Sequence, residues 1–125
     1  MKQSTIIQAY KTIQELSQQK LPLAVGHKLW TVKRMLEPHW EFQREKEQEV
    51  FEKYKPVINE DGSLQFKDKE EGEAFGKEYL EMVNEVADLD VDLGEYKKVL
   101  LHFDDKIDMT VDEIAALSEF VDFVE

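Results

Sequence analysis

The sequence predicts an α+β fold that is mostly helical: a long N-terminal antiparallel helical hairpin carrying a small acidic C-terminal α/β lobe. Three observations lead there. Apolar residues recur at helical period through most of residues 1–55. Pro56-Val57-Ile58 and Leu64-Gln65-Phe66 then flank Asp61-Gly62, a turn signal between two short extended arms. The charge is also unevenly divided: residues 1–55 hold 10 basic and 7 acidic residues, residues 56–125 hold 6 and 21, nets of +3 and −15. The 125 residues suit one or two domains, and we divide them at 55/56 into the hairpin and the acidic lobe.

The first helix is expected over about 4–19, with Ser4 as its cap and Ile6, Tyr10 and Ile13 as its stripe. Pro22 breaks it and opens the next helix, because proline disfavours helix at the residue before it and suits a first turn. That second helix, about 22–54, repeats Val25, Leu29, Val32, Leu36 and Trp40 and resumes at Val50, Phe51 and Tyr54. Pro38 lies inside it, where a kink is expected. At ~1.5 Å per residue the two helices differ about twofold in length, so helix one ends opposite His39 and Trp40–Tyr54 needs another cover. Helix three, about 68–86, is the nearest candidate, with Phe75, Tyr79, Met82 and Val83 on one face and Asp68 with Glu71 as a capping box.

Beyond it, Asp88 to Leu93 alternates acidic and apolar residues, which is strand period. Val99-Leu100-Leu101 and Ile107 mark another extended stretch, and Thr110 with Glu113 starts a last helix over about 111–121.

Composition narrows the functional classes. A formal charge of −12 opposes general binding to nucleic acid or to an anionic membrane. Without cysteine there is no disulfide, thiol chemistry or thiolate-bound zinc. No apolar run approaches the length of a membrane span and no signal peptide is expected, which fits a cytoplasmic protein.

Asp88-x-Asp90-x-Asp92 imitates the start of a calcium loop, but Leu93 and Val99 stand where that loop needs Gly and Glu. Asp104, Asp105, Asp108 and Asp112 form a second acidic group, read as turn and cap residues or, less simply, as the divalent-ion site of a hydrolase. His27, His39 and His102 form no metal motif, and no nucleophile elbow, Walker loop or dinucleotide fingerprint occurs. No catalytic residue, cofactor or metal ligand is therefore assigned. Trp30, off the main stripe, Trp40 and Phe51, together with Asp88, Asp90, Asp92, Asp104, Asp105 and Asp108, are the candidate partner surface.

The order of elements resembles that of small proteins encoded by tailed phages and prophages and classed as a domain of unknown function. The resemblance runs through Lys20-Leu21-Pro22, Lys28-Leu29, Leu36-Glu37-Pro38, Arg44, Lys53-Tyr54, Asn59-Glu60-Asp61-Gly62, Val91-Asp92-Leu93, Met109 to Leu117 and Phe120. It implies a phage setting in the host bacterial cytoplasm and supplies no activity. Two functions then stand: a non-enzymatic accessory protein, monomer or homodimer, that binds a protein partner and not nucleic acid, or an acidic inhibitor imitating nucleic acid in a basic cleft of a host enzyme.

Overall fold

The computed structural model describes residues 1–102 and 107–125. In chain order the elements are α1 (Gln3–Leu16), α2 (Leu23–Tyr54), β1 (Val57–Ile58), β2 (Leu64–Gln65), α3 (Lys69–Ala87), β3 (Val99–His102), α4 (Val111–Leu117) and β4 (Val121–Val124). The fold class is the one expected, α+β and mostly helical.

α1 and α2 form the antiparallel hairpin. Ile6, Tyr10, Ile13, Val25, Leu29, Val32 and Leu36 are all buried in one cluster, which is what a shared apolar stripe gives two helices joined by a short turn. Gln3 lies at the far end of the seam, where its buried side chain donates from Nε2 to the His39 carbonyl at 2.7 Å. α2 continues unbroken through Pro38. It stops at Lys55, whose left-handed backbone (φ 45°) closes the helix by donating its N–H to Phe51 O at 2.7 Å, and Pro56 follows.

Past the reach of α1, α3 covers the end of α2. Phe75 is buried at the centre of that contact, with ring centroids 5.3 Å from Phe51, 5.7 Å from Tyr54, 5.0 Å from Phe66 and 5.7 Å from Tyr79. The antiparallel β1–β2 hairpin turns at Asp61-Gly62, where Gly62 has φ 86° and the Asp61 carboxylate accepts from Ser63. Asp68 caps α3 by accepting from the Glu71 N–H.

Four boundaries differ from the sequence expectation. Ser4 does not cap α1; Lys2 does, without a side-chain bond, because its backbone is bridged to Asp90 and starts the helix earlier. Residues 88–93 form no strand: Asp88 is the C-cap of α3 and Asp90 makes the single bridge to Lys2. The alternation reflects burial on one side, since Val91 and Leu93 pack on the core while Leu89 remains exposed. Ile107 lies outside β3, although it packs on the core. The last helix ends at Leu117, and residues 121–124 form a strand parallel to β3, with Val99 opposite Val121 and Leu101 opposite Phe123.

This parallel pair and α4 return to the hairpin. Leu101, Leu117, Phe120 and Val121 belong to the same buried cluster as Ile6 and Leu29. The 55/56 division thus marks a change of charge, while the hydrophobic core draws on both sides of it.

Candidate functional site

The candidate residues fall into separate environments. Trp40 is packed, stacked on Tyr10 at 4.9 Å with the Lys11 ammonium 5.8 Å from its ring centroid. Phe51 is half-buried against Phe75 and Tyr79, with ring centroids at 5.3 Å and 6.2 Å. Both are half-buried and contribute to the packing of α2, Trp40 where α1 covers it and Phe51 where α3 does.

Asp88, Asp90, Asp92 and Asp108 are exposed and serve local contacts. The Asp88 carbonyl accepts from Lys2 Nζ at 3.0 Å, and the Asp90 carboxylate lies 3.8 Å from the same ammonium. Asp92 accepts from the Gly94 N–H at 2.8 Å, closing a turn at which Gly94 has φ 71°. Asp108 is held through its backbone by one side chain. Gln19 Nε2 donates to the Asp108 carbonyl at 2.9 Å, and the Asp108 N–H donates back to Gln19 Oε1 at 3.2 Å. Asp104 and Asp105 lie outside the described residues. Among the described residues no group of three or more His, Asp or Glu side chains is placed to hold a metal ion.

Trp30 is the candidate that the fold leaves outside. It is 54% exposed on the side of α2 opposite Val25, Leu29, Val32 and Leu36. His27 stacks on it at 5.7 Å and the Arg34 guanidinium lies 5.8 Å from its ring centroid. Leu23, one turn before His27, is 90% exposed. Continued by steps of three and four, the same face runs through Glu37, Glu41, Glu45, Gln48 and Glu52. All of these but the half-buried Glu37 are exposed.

This outer face spans nearly the whole of α2, about 45 Å. Arg34 is its basic side chain, paired with Glu37 at 3.3 Å, and Glu41, Glu45 and Glu52 mark the far half; Lys28 and Lys33 leave the helix on other sides, toward the Leu100 carbonyl and the Tyr10 ring. Sequence reasoning singled out Trp30 alone; the remaining members were readable as the complement of the buried stripe, half a turn away.

A second polar feature is the groove between α2 and α3, lined by Lys46, Glu49, Val50, Lys53, Glu78 and Glu85 among others. Its centre is an interhelical knot. Tyr54 donates its hydroxyl to Glu78 Oε2 at 2.6 Å, and Lys53 Nζ donates to both Glu78 oxygens at 3.0 Å. The Tyr54 hydrogen bond, then that of Lys53, holds the Glu78 carboxyl below its ordinary range. The same bonds to Glu78 raise Lys53 and Tyr54. This knot clamps α3 to α2, and it offers no free nucleophile or base.

Among the described residues no helix is long and apolar enough to cross a membrane. No known protein family, curated protein or solved structure matches the chain.

Proposed function

We propose that this chain is a non-enzymatic interaction protein, encoded by a phage or prophage and working in the host bacterial cytoplasm, whose contact surface is the outer face of α2. The carrying observation is Trp30, held in water between His27 and Arg34 on the side of the helix turned away from the core. A large exposed aromatic ring, already ordered by the stacked His27 ring and the Arg34 guanidinium, is a common anchor at protein contacts. The phage setting rests on the sequence resemblance.

The reading as a nucleic-acid mimic has less support. Its carboxylates would need to run as one stripe, but they are dispersed over α2, α3, the 88–95 segment, α4 and β4. Lys46 and Lys53 also interrupt the acidic groove beside α3.

The test compares the wild-type chain with Trp30→Ala as baits in host-cell lysate. Because Trp30 is exposed, the variant should melt at the wild-type temperature while losing the proteins that the wild type retains. An unchanged set of bound proteins, or none with either bait, refutes the proposed surface.

A further inference from the structure

Asp61-Gly62 is the one Asp-Gly pair in the sequence, and it stands at the exposed tip of the β1–β2 hairpin. Such a pair carries a reaction of its own. The amide nitrogen after an aspartate attacks the side-chain carboxyl carbon, and glycine, with no side chain, leaves that approach open. The N–Cγ bond forms, a Cγ–O bond breaks, and the carboxyl hydroxyl leaves with the amide proton as water. Solvent water then opens the resulting succinimide ring. Attack at the side-chain carbonyl restores aspartate. Attack at the main-chain carbonyl leaves the chain running through the side-chain carbon, as isoaspartate. The sequence needs no oxidant, cofactor or enzyme.

In the folded turn both reacting groups are occupied. The Gly62 N–H donates to the Asn59 carbonyl at 3.0 Å, inside a loop closed by the Asn59 N–H on the Ser63 carbonyl at 2.9 Å. The nitrogen is thus held in one direction and keeps its proton. The Asp61 carboxylate accepts from the Ser63 hydroxyl at 2.6 Å and from the Ser63 N–H at 3.0 Å. Ser63 Oγ in turn accepts from Asn59 Nδ2 at 3.0 Å. The Ser63 hydroxyl, then its N–H, holds the Asp61 carboxyl below its ordinary range and so depletes the neutral acid, the form that loses water. Steric cover plays no part, since a Cβ built on Gly62 meets nothing within 4 Å.

The hairpin that carries this turn is lightly held. Val57 pairs with Gln65 and Ile58 with Leu64, both Val57 and Ile58 are exposed, and Phe66 ties the ribbon to Phe75. So short a ribbon opens more readily than the core.

We propose that Asp61 is a site of spontaneous isoaspartate formation that the closed turn blocks, so that the chain is modified there through opening of the β1–β2 hairpin. The modification is also a latch. It adds one main-chain carbon between Asp61 and Gly62, which displaces the Gly62 N–H from the Asn59 carbonyl, so a hairpin that has reacted does not close on its old register.

Prolonged incubation of the full chain at neutral pH, followed by peptide mapping, tests it. Isoaspartate shifts the retention of the peptide holding Asp61 without changing its mass, which separates it from deamidation of Asn59. The folded wild type should convert about tenfold or more slowly than the same chain unfolded in urea, since the open fraction alone reacts. Ser63→Ala, at an exposed position and checked as folded by circular dichroism, should convert about threefold or more faster than wild type, because the carboxylate loses one of its two donors. Phe75→Ala, which loosens the docking of the hairpin, should also raise the rate toward the unfolded one. Equal rates for the folded and unfolded chain overturn the proposal. So do a Ser63→Ala or Phe75→Ala rate no faster than wild type, and an absence of conversion in urea.

Discussion

Phe75→Ala tests the claim that α3, and not a second chain, covers the end of α2. The ring is 7% exposed and lies within 5.0–5.7 Å, centroid to centroid, of Phe51, Tyr54, Phe66 and Tyr79. Removing a buried Phe costs about 3–5 kcal/mol through lost transfer energy and an unfilled cavity. Edge-to-face contacts such as those with Phe51 and Tyr54 are included in that cost, at about 0.5–1.5 kcal/mol each. Against a total stability of about 5–15 kcal/mol the loss is large without being fatal. Urea unfolding followed by circular dichroism gives the global number, and amide exchange read by mass spectrometry locates it. The knot at Glu78 cannot replace the cluster, since solvent screens an ion pair this exposed. Amides of α3 and the β1–β2 hairpin should therefore lose most protection. Phe75→Leu, which refills much of the volume, should recover the larger part. A global loss below about 1 kcal/mol, with α3 protection intact, would refute the reasoning.

Leu29→Ala, at the middle of the α1–α2 seam, should cost about 2–5 kcal/mol in the same urea assay, because the residue is fully enclosed. Glu78→Gln should flatten the acid limb of the stability–pH curve. The native carboxyl titrates below its unfolded value, so its contribution is present above the unfolded value and disappears as pH falls through the native one. Lys53, raised by the same contact, contributes below its unfolded value and loses that contribution as pH rises through the native one, so wild-type stability should also decline on the alkaline side; melting temperatures from pH 2 to pH 11 check both limbs. Thr110→Ala should cost about 0.5–2 kcal/mol in urea, because it breaks one arm of a capping box whose bonds are 3.1 Å and 2.8 Å.

What the sequence discloses here is mostly local. Val25, Leu29, Val32 and Leu36 announce their helix because the period is written within four turns, and the α1–α2 pairing follows from one short turn. The docking of α3 was readable from a mismatch of helix lengths. β4 was not. Phe120 and Val121 continue the spacing of Ile114 and Leu117 as well as they begin a strand, and the partner that decides the matter, Val99, lies 22 residues earlier. Residues 88–93 mislead for the opposite reason. Their alternation is real, but a strand also needs a neighbour, and Lys2 is the one bridge found. At the site, Trp30 was legible as the aromatic off the stripe. Trp40 and Phe51 lie on the stripe and its continuation, and what covers each of them is a tertiary fact.

Because Phe120 and Val121 sit in the same cluster as Ile6 and Leu29, the order of synthesis matters. A ribosome adding about 5–20 residues per second takes roughly 4–17 s to move from Leu36, when both halves of the seam exist, to Val121. Helix pairs form in far less time. The nascent hairpin therefore spends seconds assembled but open on the side that α4 and β4 later close. During that interval it displays apolar surface of the kind chaperones cover, and a message truncated before residue 120 leaves it displayed for good. Premature termination should thus yield aggregation or proteolysis, with no smaller working protein left behind.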